Sequence, residues 1–80
     1  MKTVTLLSKA DCHLCEIAKE VLLIAQKRMP FELQERKITA EDPDFETYRE
    51  RVPVILIDGV FGFQYRVSEQ QLLDRLREKD

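Results

Sequence analysis

At 80 residues the chain has room for one domain, and not for a nucleotide-binding fold joined to a substrate domain. With 44% apolar and 35% charged residues, two glycines and three prolines, it is too apolar and too poor in chain-breakers to be disordered. Thirteen basic and fifteen acidic residues are interleaved, giving a net charge of −2 and no concentrated basic face, which argues against a nucleic-acid partner.

The chain opens on a predicted strand, Lys2–Ser8. Val4, Leu6 and Leu7 are its apolar content, and the β-branched Thr3, Val4 and Thr5 suit a pleated surface. The apolar stretch Val4–Leu7 is too short for a signal-peptide core. The longest apolar run, Val21–Ala25, is five residues, whereas a membrane span needs roughly 20. The expectation is a soluble protein of a reducing compartment, the cytoplasm, with no membrane partner.

After the loop Ser8-Lys9-Ala10-Asp11, apolar residues fall at Leu14, Ile17, Ala18, Val21, Leu22 and Ala25. Spacings of 3, 1, 3, 1 and 3 predict an amphipathic helix with those residues on its buried face. Asp11 or Cys12 is its N-cap, Lys27 and Arg28 occupy its last turn, and Pro30 stops it. Phe31 and Leu33 alternate with Glu32 and Gln34, predicting a second strand to about Ile38. Together these elements make a parallel, right-handed βαβ unit. The acidic segment Glu41-Asp42-Pro43-Asp44 then leads into a short helix with Asp42 as cap and Phe45 and Tyr48 on one face.

Val52–Ile57 is a nearly continuous apolar run and reads as a central strand buried on both faces. Asp58-Gly59 is a two-residue hairpin signal. Phe61, Phe63 and Tyr65 alternate with Val60, Gly62 and Gln64, which predicts the partner strand with its aromatics packed on the sheet and core. Ser68 opens the last helix. Ser68 and Gln71 form a capping box, Val67 and Leu72 a hydrophobic staple, and Leu72, Leu73 and Leu76 face the core.

The two cysteines are Cys12 and Cys15. As a staple this pair closes one of the shortest loops available and would constrain the unfolded chain little. Redox chemistry, a metal site and two inert thiols are the other uses. The sole histidine, His13, lies inside the motif, so one chain cannot complete a four-ligand Cys/His zinc site, and a metal would have to be shared between chains. Cys12 sits where helix N-terminal N–H groups favour an anion, with Lys9 and His13 as neighbouring cations. Its pKa is expected below the ordinary value of about 8.5. Cys15, one turn further in, is expected to be more buried and less ionised.

The element order, the Cys12-His13-Leu14-Cys15 motif, Lys9 three residues before it, and Val52-Pro53-Val54 together resemble the glutaredoxins. The resemblance spans nearly the whole chain. It implies one glutaredoxin-like domain over residues 1–80 with an α/β thioredoxin-like fold, a four-stranded mixed sheet flanked by about three helices. It also implies a cis bond at Pro53, placed against the cysteines, that leaves the Val52 backbone free to pair with an extended substrate.

The function implied is thiol–disulfide oxidoreduction. Cys12 attacks and Cys15 resolves, with Lys9, His13, Val52, Pro53 and Ser68 as substrate-binding residues. No tightly bound cofactor is needed. Glutathione or a flavoprotein reductase of the thioredoxin type is the external donor, protein or small-molecule disulfides are the substrates, and a monomer is the default. Some glutaredoxins instead bridge two chains through a [2Fe–2S] cluster on the first cysteine, and a non-catalytic interaction module is the remaining alternative. The chain departs from the family pattern twice. His13-Leu14 replaces the usual Pro-Tyr, and Gln64-Tyr65-Arg66-Val67-Ser68-Glu69 stands where glutaredoxins hold glutathione with a Gly-Gly segment.

Overall fold

A computed structural model describes residues 1–43 and 45–77. Asp44 of the acidic segment and the end of the expected 1–80 domain lie outside the described residues. The elements run β1 (Thr3–Ser8), α1 (His13–Arg28), β2 (Glu32–Lys37), α2 (Phe45–Tyr48), β3 (Val54–Ile57), β4 (Val60–Gln64) and α3 (Glu69–Arg77). They form a four-stranded sheet in the order β2-β1-β3-β4. β1 and β2 are parallel, as the βαβ unit requires, and β3 runs antiparallel to both β1 and β4. None of the described helices is long and apolar enough to cross a membrane.

Alternation along β1 sends Val4, Leu6 and Ser8 to one face. Val4 and Leu6 pack there with Ile55 and Ile57 of β3, Ala18, Leu22 and Ala25 of α1, and Leu72, Leu73 and Leu76 of α3. The apolar run of β3 reflects its central place in the sheet, with Val54, Ile55 and Ile57 all buried. It begins at Val54 rather than Val52. The Val52–Pro53 bond is cis, and Pro53 has no N–H to give to a ladder.

The buried stripe of α1 is Cys15, Ala18, Leu22 and Ala25, narrower and rotated relative to the predicted face. Ile17 is 44% exposed, and Leu14 and Val21 are half-buried. Cys12 is the N-cap, and the Met29 N–H bonds the Ala25 carbonyl before Pro30 ends the helix. Arg28 Nε lies 3.3 Å from Glu69 Oε1, tying α1 to the start of α3.

Asp58 and Gly59 both have positive φ, 51° and 81°, the primed turn that suits a two-residue hairpin. The aromatic alternation beyond the turn fails. Ile55 pairs with Phe63 but Leu56 pairs with Phe61, so Gly62 is an extra residue in a bulge. A Cβ on Gly62 would stand 3.1 Å from the Ile55 carbonyl oxygen, which accounts for glycine there. Phe63 packs against the core, Phe61 is exposed, and Tyr65 lies beyond the strand end.

Asp42 does not cap α2. Its carboxylate turns back to accept from the Thr39 N–H at 2.7 Å and from Arg36 at 2.9 Å, and α2 starts at Phe45. The Thr39 N–H and then the Arg36 guanidinium hold the Asp42 carboxyl below its ordinary value of 3.8. A lowered folded pKa stabilises the fold above the unfolded value, and that stabilisation is lost as pH falls through the folded one. Asp42→Asn is therefore expected to lower the thermal midpoint at neutral pH and to match the parent in acid below that pKa. A deficit that persisted unchanged in strong acid would contradict this.

Candidate active site

The site begins where β1 stops. After Ser8 the chain turns through Asp11, which has φ 57°, and presents Cys12 at the N-terminus of α1. Cys12 and Cys15 form a disulfide with Cα atoms 5.2 Å apart. The Cys12 sulfur also accepts the Cys15 backbone N–H at 3.2 Å. A helix N-terminal donor thus points at this sulfur, the arrangement that favours a thiolate. Cys12 is half-buried, whereas Cys15 is 4% exposed. Cys12 is thus the more accessible of the two, and Cys15 is covered.

The cover comes from the neighbouring elements. Cys15, Ile38 and Val52 form a second apolar cluster, with Cys12, Phe45 and Tyr48 packed against it. The shared face of Phe45 and Tyr48 on α2 is spent here. The Val52 N–H is not free for a substrate, because it donates to the Tyr48 carbonyl at 3.0 Å. The Pro53 carbonyl accepts from the Tyr65 N–H at 2.8 Å, which ties the proline to the segment before α3. Tyr65 holds a left-handed φ of 65°, uncommon for an aromatic residue. Leu14, Ile17 and Ala18 of α1 and Tyr65, Arg66 and Val67 enclose a largely apolar cleft of about 250 Å³.

The other predicted residues have specific partners. The Lys9 ammonium donates to the Arg49 carbonyl at 2.8 Å, bracing the turn after α2. Lys9 also borders a second, polar cavity of about 180 Å³ shared with both cysteines. His13 is exposed on the first turn, with Nδ1 4.0 Å from Glu16 Oε2. Ser68 is engaged in the capping box: its Oγ accepts the Gln71 N–H at 3.1 Å and its N–H donates to Gln71 Oε1 at 3.3 Å. Among the described residues no group of three or more His, Cys, Asp or Glu side chains is placed to hold a metal ion.

Sequence reasoning missed Ser8, Ile17 and Tyr65. For Ser8 a signal was present, since a serine in register with the core-facing Val4 and Leu6 is out of place unless it has polar company. The left-handed Tyr65 had none, because the bulge at Gly62 shifts the whole segment.

A mixed four-stranded sheet, a Cys-x-x-Cys pair at the first helix N-terminus and a cis Val52–Pro53 bond packed beside it define a thioredoxin-fold protein. Solved structures agree. Protein XcR50 from X. campestris is 26% identical with a TM-score of 0.77, over 91% of this chain and 93% of that one. Protein Ne2328 from Nitrosomonas europaea is 24% identical with a TM-score of 0.78, over 92% of this chain and 89% of that one. Thioredoxin O2 from Arabidopsis thaliana, in its oxidised state, shares the fold at 17% identity and a TM-score of 0.57, over 95% of this chain and 72% of that one. The chain belongs to the glutaredoxin-like family: the profile of the Glutaredoxin-like domain (DUF836) matches residues 3–77.

Proposed function

We propose that the protein is a thiol–disulfide oxidoreductase in which Cys12 attacks and Cys15 resolves. The carrying observation is the asymmetry of the pair: a half-open Cys12 at the helix N-cap, backed by a covered Cys15. In the dithiol form the Cys12 thiolate attacks one sulfur of a substrate disulfide. The new bond joins Cys12 to that half, and the other half leaves as a thiolate that takes up a proton. Cys15 loses its proton and attacks the Cys12 sulfur. The Cys12–Cys15 disulfide forms, and the second half of the substrate leaves and is protonated. Two electrons pass to the substrate. An external thiol donor, glutathione or a thioredoxin-type reductase, restores the dithiol.

The roles of the remaining residues follow from their partners. Val52 offers a substrate chain its carbonyl rather than its N–H, and Pro53 fixes the direction of that edge. Lys9 and Ser68 act by bracing the loops around the pair, and His13 lies on the exposed approach to Cys12. The apolar cleft beside Leu14 and Tyr65 favours a disulfide carried on a peptide with an apolar neighbour over glutathione itself.

Alkylation order tests the assignment. Brief iodoacetamide treatment of the reduced protein, followed by peptide mass analysis, is expected to label Cys12 well before Cys15. Faster labelling of Cys15 would reverse the roles.

A further inference from the structure

The polar cavity beside the cysteines is bordered by a buried hydroxyl that the exchange steps above leave unused. Ser8 ends β1 in register with Val4 and Leu6, so its side chain points beneath the N-terminus of α1. It is 2% exposed, and its Oγ is buried with no hydrogen-bond partner among the described residues. Its carbonyl is accounted for, accepting from the Ile38 N–H at 2.7 Å. The same cavity is bordered by Ser8, Cys12 and Cys15. A buried hydroxyl without a partner is an exception that calls for a cause.

We propose that Ser8 is a redox-linked positioning residue, whose buried hydroxyl donates a hydrogen bond to the Cys15 sulfur once the Cys12–Cys15 bond is opened. In the disulfide the Cys15 sulfur is held to Cys12, and the hydroxyl has no partner within hydrogen-bond reach among the described residues. Reduction adds two electrons and two protons and breaks the S–S bond to give two thiols, and loss of its proton then makes Cys15 a thiolate. A thiolate is an anionic acceptor, and hydrogen bonds to charged groups are the stronger kind. Ser8 therefore favours the dithiol and eases ionisation of Cys15 in the resolving step. The charged groups bordering this cavity are Lys9 and Asp11 from the loop, Glu16 and Lys19 from α1, and Glu35 and Lys37 from β2. Lys19 and Glu35 neutralise each other at 3.1 Å.

The inference rests on the proposed exchange chemistry, and one experiment separates the two. Wild type, Ser8→Ala and Ser8→Thr are equilibrated in glutathione redox buffers, and the Cys12–Cys15 disulfide is counted by mass. Ser8→Ala is expected to shift the equilibrium about tenfold toward the disulfide, equivalent to about 30 mV more negative. Ser8→Thr, which restores the hydroxyl, is expected to return near wild type. In a Cys12→Ser background, Ser8→Ala is expected to raise the pH at which Cys15 thiolate absorbance appears. An unchanged Ser8→Ala, or an equal shift in Ser8→Thr, overturns the inference while the exchange chemistry stands. A wild type that forms no reversible disulfide overturns both.

Discussion

Cys12→Ser is expected to reduce disulfide exchange to the uncatalysed background, whereas Cys15→Ser is expected to retain the first half of the reaction and stop there. The reason lies in what each sulfur can reach. Cys12 is half-buried at the mouth of the site, with a helix N-terminal donor on its sulfur. Cys15 is 4% exposed and packed with Ile38 and Val52. Without Cys15 the mixed disulfide has no internal attacker, so it accumulates. Incubating Cys15→Ser with a peptide disulfide and reading intact mass should show one adduct per chain, on Cys12. Equal activity of the two variants would contradict the assignment, because it would make the sulfurs interchangeable.

Leu22→Ala is expected to be among the most damaging single substitutions in the core. Leu22 of α1 is 0% exposed and belongs to the main apolar cluster with residues of the sheet and of α3. Deleting its side chain should cost about 2–5 kcal/mol. A chain this short rarely holds much more than ~3–5 kcal/mol of stability from its core. The variant should therefore be largely unfolded, or should melt at far lower urea than the parent. Leu23, the next residue, is 42% exposed, and Leu23→Ala should fall within about 0.5 kcal/mol of the parent. Urea unfolding of both variants checks the contrast. Similar losses in the two would mean that α1 is rotated from the orientation described.

Local signals were the ones the sequence carried plainly. The element order, the Asp58-Gly59 hairpin, the Ser68–Gln71 capping box and the position of Cys12 at a helix N-terminus each depend on neighbours within a few residues. Pro53 and Lys9 were marked by family resemblance, which supplied the cis bond that spacing alone does not. Tertiary choices were not legible. Six apolar positions on α1 define an arc, but the sheet and α3 decide which part of it is buried. The stripe centres on Ala18 and Ala25, whose small side chains permit close approach, and Ile17 is left for the cleft. The bulge at Gly62 depends on a carbonyl across the hairpin, so the alternating aromatics misled. The partners of Lys9 and of the Val52 N–H lie on α2 and the turn after it, an encounter that no local pattern encodes. Asp42 had two acceptable uses, and Arg36 and Thr39 decided between them.

Cys12 and Cys15 are expected to exchange reversibly between dithiol and disulfide. The most direct test is a titration of the reduced wild-type protein in glutathione redox buffers, acid-quenched and read by intact mass. A single cooperative conversion between the dithiol and a form two hydrogens lighter, fully reversed on returning to reducing buffer, is the predicted result. Thiols that remain free across the whole range would contradict the account.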